Sequence, residues 1–207
     1  MVDYPFLTPG IPDELFLRED TPLTREEVRA VLLGRLRLLP HNIFWDIGAG
    51  TGAVAIEVAR MIPGGRAFAV EARAERAKLI ATNRARFGVD NLEVVQGEAP
   101  EALRGLPRPD RVFVGGSGGR LAAILAVVRD ILPPGGRLVL SAVTLETLAA
   151  ASDILRWPEY RGEVTGLSVV RGKTSSAGCL LQGGSWVFVF SAEREGGQCQ
   201  ERFTVSG

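Results

Sequence analysis

The chain of 207 residues has one histidine, His41, and two cysteines, Cys179 and Cys199. The cysteines form no C-x-x-C pair and could make at most one bridge; with a single histidine they supply no zinc set. No metal is therefore expected, and a reduced, cytoplasmic setting is the default. Neither sign of charge is in excess: Lys plus Arg and Asp plus Glu both number 24, for a formal net charge of zero. Nucleic-acid binders usually carry a basic excess, so no nucleic-acid partner is expected. No apolar run approaches the ~20 residues that a bilayer-spanning helix needs. Met1-Val2-Asp3-Tyr4-Pro5 has neither the basic start nor the apolar stretch of a signal peptide, and no membrane association is expected. Internal repeats are missing too, which excludes solenoids and propellers. His41 falls in the turn before the first expected strand and reads as structural or exposed.

What is present suits a soluble α/β domain, with 46% hydrophobic and 23% charged residues. Residues 1–23 are interrupted by Pro5, Pro9, Pro12 and Pro22. Thr24-Arg25-Glu26-Glu27 reads as a capping box opening a helix with Val28, Val31, Leu32 and Leu36 as its stripe. Short β runs follow at 43–47, 66–70, 92–96, 110–114, 137–142, 163–170 and 185–191. Helical patterns fill 52–61, 73–87, 119–132 and 145–156, with a short turn near 100–104. Strands separated by helices imply right-handed crossovers and a parallel sheet. The last two runs are joined only by a loop, 171–184, so strand seven is expected antiparallel to strand six. The expectation is one domain over 1–192 and a flexible tail over 193–207.

The most informative segment is Ile43-Phe44-Trp45-Asp46-Ile47-Gly48-Ala49-Gly50-Thr51-Gly52. A strand runs into a glycine-rich turn and directly into a helix, a unit that lets backbone approach a ligand closely. Gly48-x-Gly50-x-x-Ala53 formally satisfies a dinucleotide fingerprint. Asp46 tilts the reading: its fixed negative charge repels a pyrophosphate and suits a cationic ligand. S-adenosylmethionine, with its ammonium and sulfonium groups, fits best. Glu71, 19 residues beyond Gly52, stands where an acid accepts hydrogen bonds from a ribose diol, in either ligand. Gln96-Gly97-Glu98-Ala99 ends the third run, where an adenine would lie. Gly115-Gly116-Ser117-Gly118-Gly119 ends the fourth and offers close approach to two ligands. This position lacks the Asn/Asp-Pro-Pro-aromatic motif that holds an attacking exocyclic base amine. Ser117 has no histidine base nearby in sequence, which speaks against a hydrolase.

These segments together resemble a known family. Gly10-Ile11-Pro12-Asp13-Glu14-Leu15-Phe16, Pro22-Leu23-Thr24-Arg25-Glu26-Glu27-Val28-Arg29, the Trp45–Gly52 turn, Asp110 to Gly119 and Ala142-Val143-Thr144-Leu145-Glu146-Thr147 are similar to the decarboxylating precorrin C15-methyltransferases of cobalamin biosynthesis. The resemblance implies a class I S-adenosylmethionine-dependent methyltransferase fold, Rossmann-like, with a seven-stranded sheet and an antiparallel strand seven. It also implies a tetrapyrrole substrate rich in carboxylates and a homotetramer. Ser141 stands where the family usually has asparagine, and Gly184-Ser185-Trp186-Val187 where it tends to carry Asn-Pro-Val, so loop 171–184 matches least. The candidate donor site is Thr24, Asp46, Gly48, Ala49, Gly50, Thr51, Gly52, Glu71, Glu98, Ala99, Gly115 and Gly116. Acceptor contacts are expected from Ser117, Arg120, Ser141, Arg171 and Lys173, the cations as partners for peripheral carboxylates. No catalytic side chain is assigned. The alternatives left open are a class I methyltransferase acting on RNA or protein, and an NAD enzyme or non-catalytic nucleotide-binding scaffold.

Overall fold

A computed structural model describes residues 1–2, 4–176 and 178–196. After α1 (Glu26–Leu36), strands and helices alternate: β1 (Ile43–Ile47), α2 (Ala53–Met61), β2 (Arg66–Glu71), α3 (Ala74–Phe87), β3 (Leu92–Gln96), β4 (Arg111–Val114), α4 (Leu121–Ile131), β5 (Arg137–Ala142) and α5 (Leu145–Ala151). Then come β6 (Tyr160–Leu167), β7 (Val170–Ser175), β8 (Gly178–Gly183) and β9 (Val187–Arg194). The main sheet has seven strands in the order β3-β2-β1-β4-β5-β9-β6. The first five strands pair in parallel, and β9 lies between β5 and β6, antiparallel to both. The expected antiparallel seventh strand of the sheet is thus β9.

Central strands covered on both faces should be apolar at nearly every position, and β1 is buried from Phe44 to Ile47. Successive side chains point to opposite faces. Phe44 therefore joins a core with Leu32, Ile56 and Phe113, while Trp45 joins a second core with Phe68, Val112 and Ile124.

The fold departs from the sequence expectation in four places. The 171–184 loop is a β7–β8 hairpin forming its own two-stranded sheet. Leu180 and Leu181 are both exposed, so no one-sided apolar alternation announces it. Residues 145–156 split into α5 and a 3-10 turn over Ser152–Arg156, with Thr144 accepting the Thr147 N–H at the start of α5. Thr24 does not cap α1: the N-cap is Arg25, and Glu27 turns outward to Arg171 instead of reaching back. Finally, β9 runs to Arg194, past the expected strand end at 191 and the expected domain end at 192, with Arg194 in register with Tyr160 of β6 and Glu193 paired with Arg37 and Arg137. The rest of the expected tail from residue 197 onward, with Cys199, lies outside the described residues. His41 is exposed in the turn before β1, as expected.

The proline-interrupted amino-terminal segment is held by a buried charge cluster. Arg29 is fully buried, and its Nε donates to Glu57 Oε1 at 2.6 Å while Nη1 donates to Asp13 Oδ1 at 2.7 Å. Its guanidinium also donates to the carbonyls of Ile11 and Thr24. Glu57 in turn accepts the backbone N–H groups of Gly10 at 2.7 Å and Ile11 at 3.3 Å. Buried ions persist only when fully partnered, and this set ties residues 10–24 to α1 and α2. That fixes Pro22 to Arg25 above the carboxyl ends of the strands.

Candidate functional site

At those carboxyl ends the glycine turn is sewn to its neighbours. Gly48 and Ala49 N–H donate to Val70 O at 2.9 and 3.1 Å. Gly115 and Gly116 N–H donate to Ile47 O at 2.9 and 3.3 Å. Gly48 has φ +72°, and a Cβ there would stand 2.2 Å from Gly116 O. Only glycine lets the β1 and β4 loops touch in this way.

Around this seam lies a cavity of about 380 Å³. One wall is Asp46 and the turn 48–51, with Arg76 from the first turn of α3 beside them. Gly115 and Gly116 form the middle, and Ser141, Val143, Leu167, Val169, Ser185 and Val187 form the far end. Pro22 to Arg25 and Val28 close one side. Of the sequence-expected residues, Thr24, Asp46, Gly48, Ala49, Gly50, Thr51, Gly115, Gly116 and Ser141 meet in this one cavity.

The others stand elsewhere. Gly52, at φ +80°, packs where a Cβ would be 2.8 Å from Ile80, so its absent side chain serves α2–α3 packing. Glu71 is buried behind the turn, with Oε2 accepting Gly50 N–H at 3.0 Å and Oε1 accepting Arg73 N–H at 3.1 Å. Ala99 packs against the second core, and Ser117 O accepts Arg120 N–H at 2.9 Å. Arg120 is engaged by Glu101 through two 2.6 Å bonds and by Glu98 at 3.4 Å. That guanidinium holds the Glu101 carboxyl down at about 2. Arg171 reaches Glu27 at 2.7 Å and Asp13 at 3.1 Å, so the hairpin is latched to the amino-terminal segment. Lys173 is exposed on β7 and does not line the cavity.

Asp46 dominates the electrostatics. It is 1% exposed, and neither carboxylate oxygen has a hydrogen-bond partner among the described residues. Burial pushes its pKa up to about 7; the Ala55 N–H opposes the shift from outside hydrogen-bond geometry, and the nearby Glu71 charge adds to it. A buried orphan carboxylate is costly, and a cation placed in the cavity would relieve that cost. The turn therefore fits the cationic donor that its sequence suggested. Two guanidiniums were missed by sequence reasoning: Arg25 and Arg76 line the cavity, and neither has a side-chain hydrogen bond or ion pair among the described residues. Arg25 carried a signal, since it directly follows Thr24 in a family-like segment.

Comparisons with known proteins give the family of this chain. Residues 14–185 match the family described as precorrin methyltransferase domain. A Salmonella typhi protein named cobalt-precorrin-6B C(15)-methyltransferase (decarboxylating) is 37% identical over 185 residues, covering 88% of this chain and 95% of the relative. A Pyrobaculum calidifontis protein named "Probable cobalt-precorrin-6B C(15)-methyltransferase (decarboxylating)" is 40% identical over 192 residues, 91% of this chain and 98% of the relative. The crystal structure of a precorrin-6y C5,15-methyltransferase from Geobacter metallireducens superposes with a TM-score of 0.87 at 39% identity, covering 92% of this chain and all of that one. The fold is that of the class I S-adenosylmethionine-dependent methyltransferases, and the chain belongs to the precorrin methyltransferase family.

Proposed function

We propose that the protein transfers a methyl group from S-adenosylmethionine to C15 of precorrin-6B, or of its cobalt form, and removes the C12 acetate carboxyl as carbon dioxide. The substrate follows the names of its relatives. The observation that carries the donor assignment is Asp46, a buried carboxylate without a partner at the edge of a glycine-lined cavity.

The sulfonium donor supplies an electrophilic methyl group. The chain's part is to bind, orient and exclude water. Asp46 provides the charge complement of the donor's cationic end. Gly48 to Gly50 and Gly115 to Gly116 let two ligands approach the backbone. Glu71 clamps the turn through Gly50 and has lone pairs left to accept ribose hydroxyls, with Glu98 and Ala99 at the adenine end. The apolar walls, Phe113, Val143, Leu167, Val169 and Val187, suit the face of a conjugated macrocycle. Ser141 lines the same cavity, and Ser117 follows Gly116 in the β4 loop, the two serines expected to face the acceptor. Holding the acceptor carbon in line with the methyl can contribute up to ~7–11 kcal/mol. The electron pair released with carbon dioxide enters the macrocycle's π system, so no catalytic side chain has to accept it. The reading includes one domain that runs through the end of β9 at Arg194, a homotetramer and a cytoplasmic setting. Among the described residues, no helix is long and apolar enough to cross a membrane.

The test is incubation of the protein with S-adenosylmethionine and each corrinoid form, read by mass spectrometry. Gain of one methylene and loss of carbon dioxide is the expected outcome. Return of both forms unaltered, while an RNA or protein acceptor is methylated, would establish the other acceptor class.

A further inference from the structure

The cavity is electrically polar. Among the described residues that line it, Asp46 is the sole acid and stands at the donor end, by the glycine turn. Arg76 stands beside that turn, on α3, whereas Arg25 stands against the segments that close the opposite end. Gly184, whose N–H donates to Val169 O at 2.8 Å, lies directly under the Arg25 guanidinium. A Cβ at Gly184 would come within 2.6 Å of Arg25 Nη1, 3.1 Å of Val169 O and 3.4 Å of Arg25 Cζ.

The acids next to Arg25 in sequence are taken by others. Glu26 accepts Asp13 N–H at 3.3 Å, and Glu27 is held by Arg171 at 2.7 Å. Arg25 itself makes no side-chain hydrogen bond or ion pair among the described residues, unlike Arg171 and Arg120, both committed to carboxylates. A free, planar fork of donors at the acceptor end of the cavity is built for a carboxylate.

We infer that Arg25 binds a peripheral carboxylate of the tetrapyrrole acceptor and so sets its orientation over Gly115 and Gly116. This rests on the acceptor proposed above. Gly184 belongs to the same device: its missing side chain is the space the guanidinium occupies.

The test uses the full chain and four variants: Arg25→Gln, Arg25→Lys, Gly184→Ala and the double variant Arg25→Gln with Gly184→Ala. Arg25→Gln should raise the KM for the turned-over corrinoid about tenfold or more, the worth of a charge-assisted bond. It should leave the calorimetric affinity for S-adenosylmethionine unchanged. Arg25→Lys should recover part of the loss, because charge returns without the fork. Gly184→Ala should raise KM in the wild-type background and by much less in the Arg25→Gln background, where only the 3.1 Å approach to Val169 O remains. An unchanged KM in folded Arg25→Gln, or a loss in donor affinity in place of substrate KM, overturns the assignment. Additive effects in the double variant overturn it as well. Wild-type protein inert toward both corrinoid forms removes the functional reading and this one together; active wild type with an indifferent Arg25→Gln removes this one alone.

Discussion

Asp46→Asn should make the free protein more stable above neutral pH while weakening donor binding. The carboxyl is raised from 3.8 to about 7 by burial, with the Glu71 charge adding to it. A shift of roughly three units, at 1.36 kcal/mol each, is about 4 kcal/mol. The sign follows from proton counting: between about pH 4 and 7 the folded protein holds a proton that the unfolded chain has lost. Stability therefore falls as pH rises through that window, and the full penalty is present above pH 7. Asparagine is neutral throughout and close in shape to the protonated acid. The variant should match wild type near pH 4 and exceed it by about 2 to 4 kcal/mol at pH 8, with Tm rising about 2–4 °C per kcal/mol in a chain this size. Denaturant unfolding across pH at constant ionic strength measures it. S-adenosylmethionine affinity should climb with pH through about 7 in wild type and stay flat and weaker in the variant. A stability difference that is constant with pH would show that Asp46 is not the strained acid described here.

Glu71→Ala should weaken S-adenosylmethionine binding at least about tenfold by calorimetry, because the carboxylate also holds Gly50 and Arg73 N–H; undiminished affinity in a folded variant would remove its ribose role. Gly116→Val should fold normally, since the nearest atoms to its Cβ are Gly48 O at 3.7 Å and Gly48 Cα at 3.8 Å, yet lose turnover by projecting into the cavity. Wild-type turnover there would make the loop a mere connector. Glu57→Ala should cost about 3–5 kcal/mol in urea unfolding by stranding buried Arg29; a loss below about 1 kcal/mol would show that the cluster does not clasp the amino-terminal segment.

Asp46, the glycine turn and the β1–α2 junction were legible in the sequence because their constraints are local: positive φ, a strand end and a helix start within ten residues. The parallel order was legible for the same reason, through helices of clear period. Arg29 was not, because its meaning depends on Glu57 and Asp13, partners that only the fold brings near. The assignments of Arg120 and Arg171 to substrate carboxylates rested on charge alone, and sequence does not reveal which acids have already taken a charge. Gly52 read as a ligand glycine because Ile80, the atom it makes room for, lies a full crossover away. The β7–β8 hairpin escaped because strands without a buried face have no apolar rhythm to detect.

The placement of β9 bears on how the chain is made. β9 stands between β5 and β6, so each waits for residues 187–194, the last in chain order among the described strands. Until that strand leaves the ribosome, β5 presents an open edge beside a nearly finished apolar core. The β5–β6 side of this sheet therefore closes only after β9 has emerged, well after the β1–β4 part can pair. A chaperone that shields that edge would affect yield far more than one acting on the glycine turn, whose strands are complete long before.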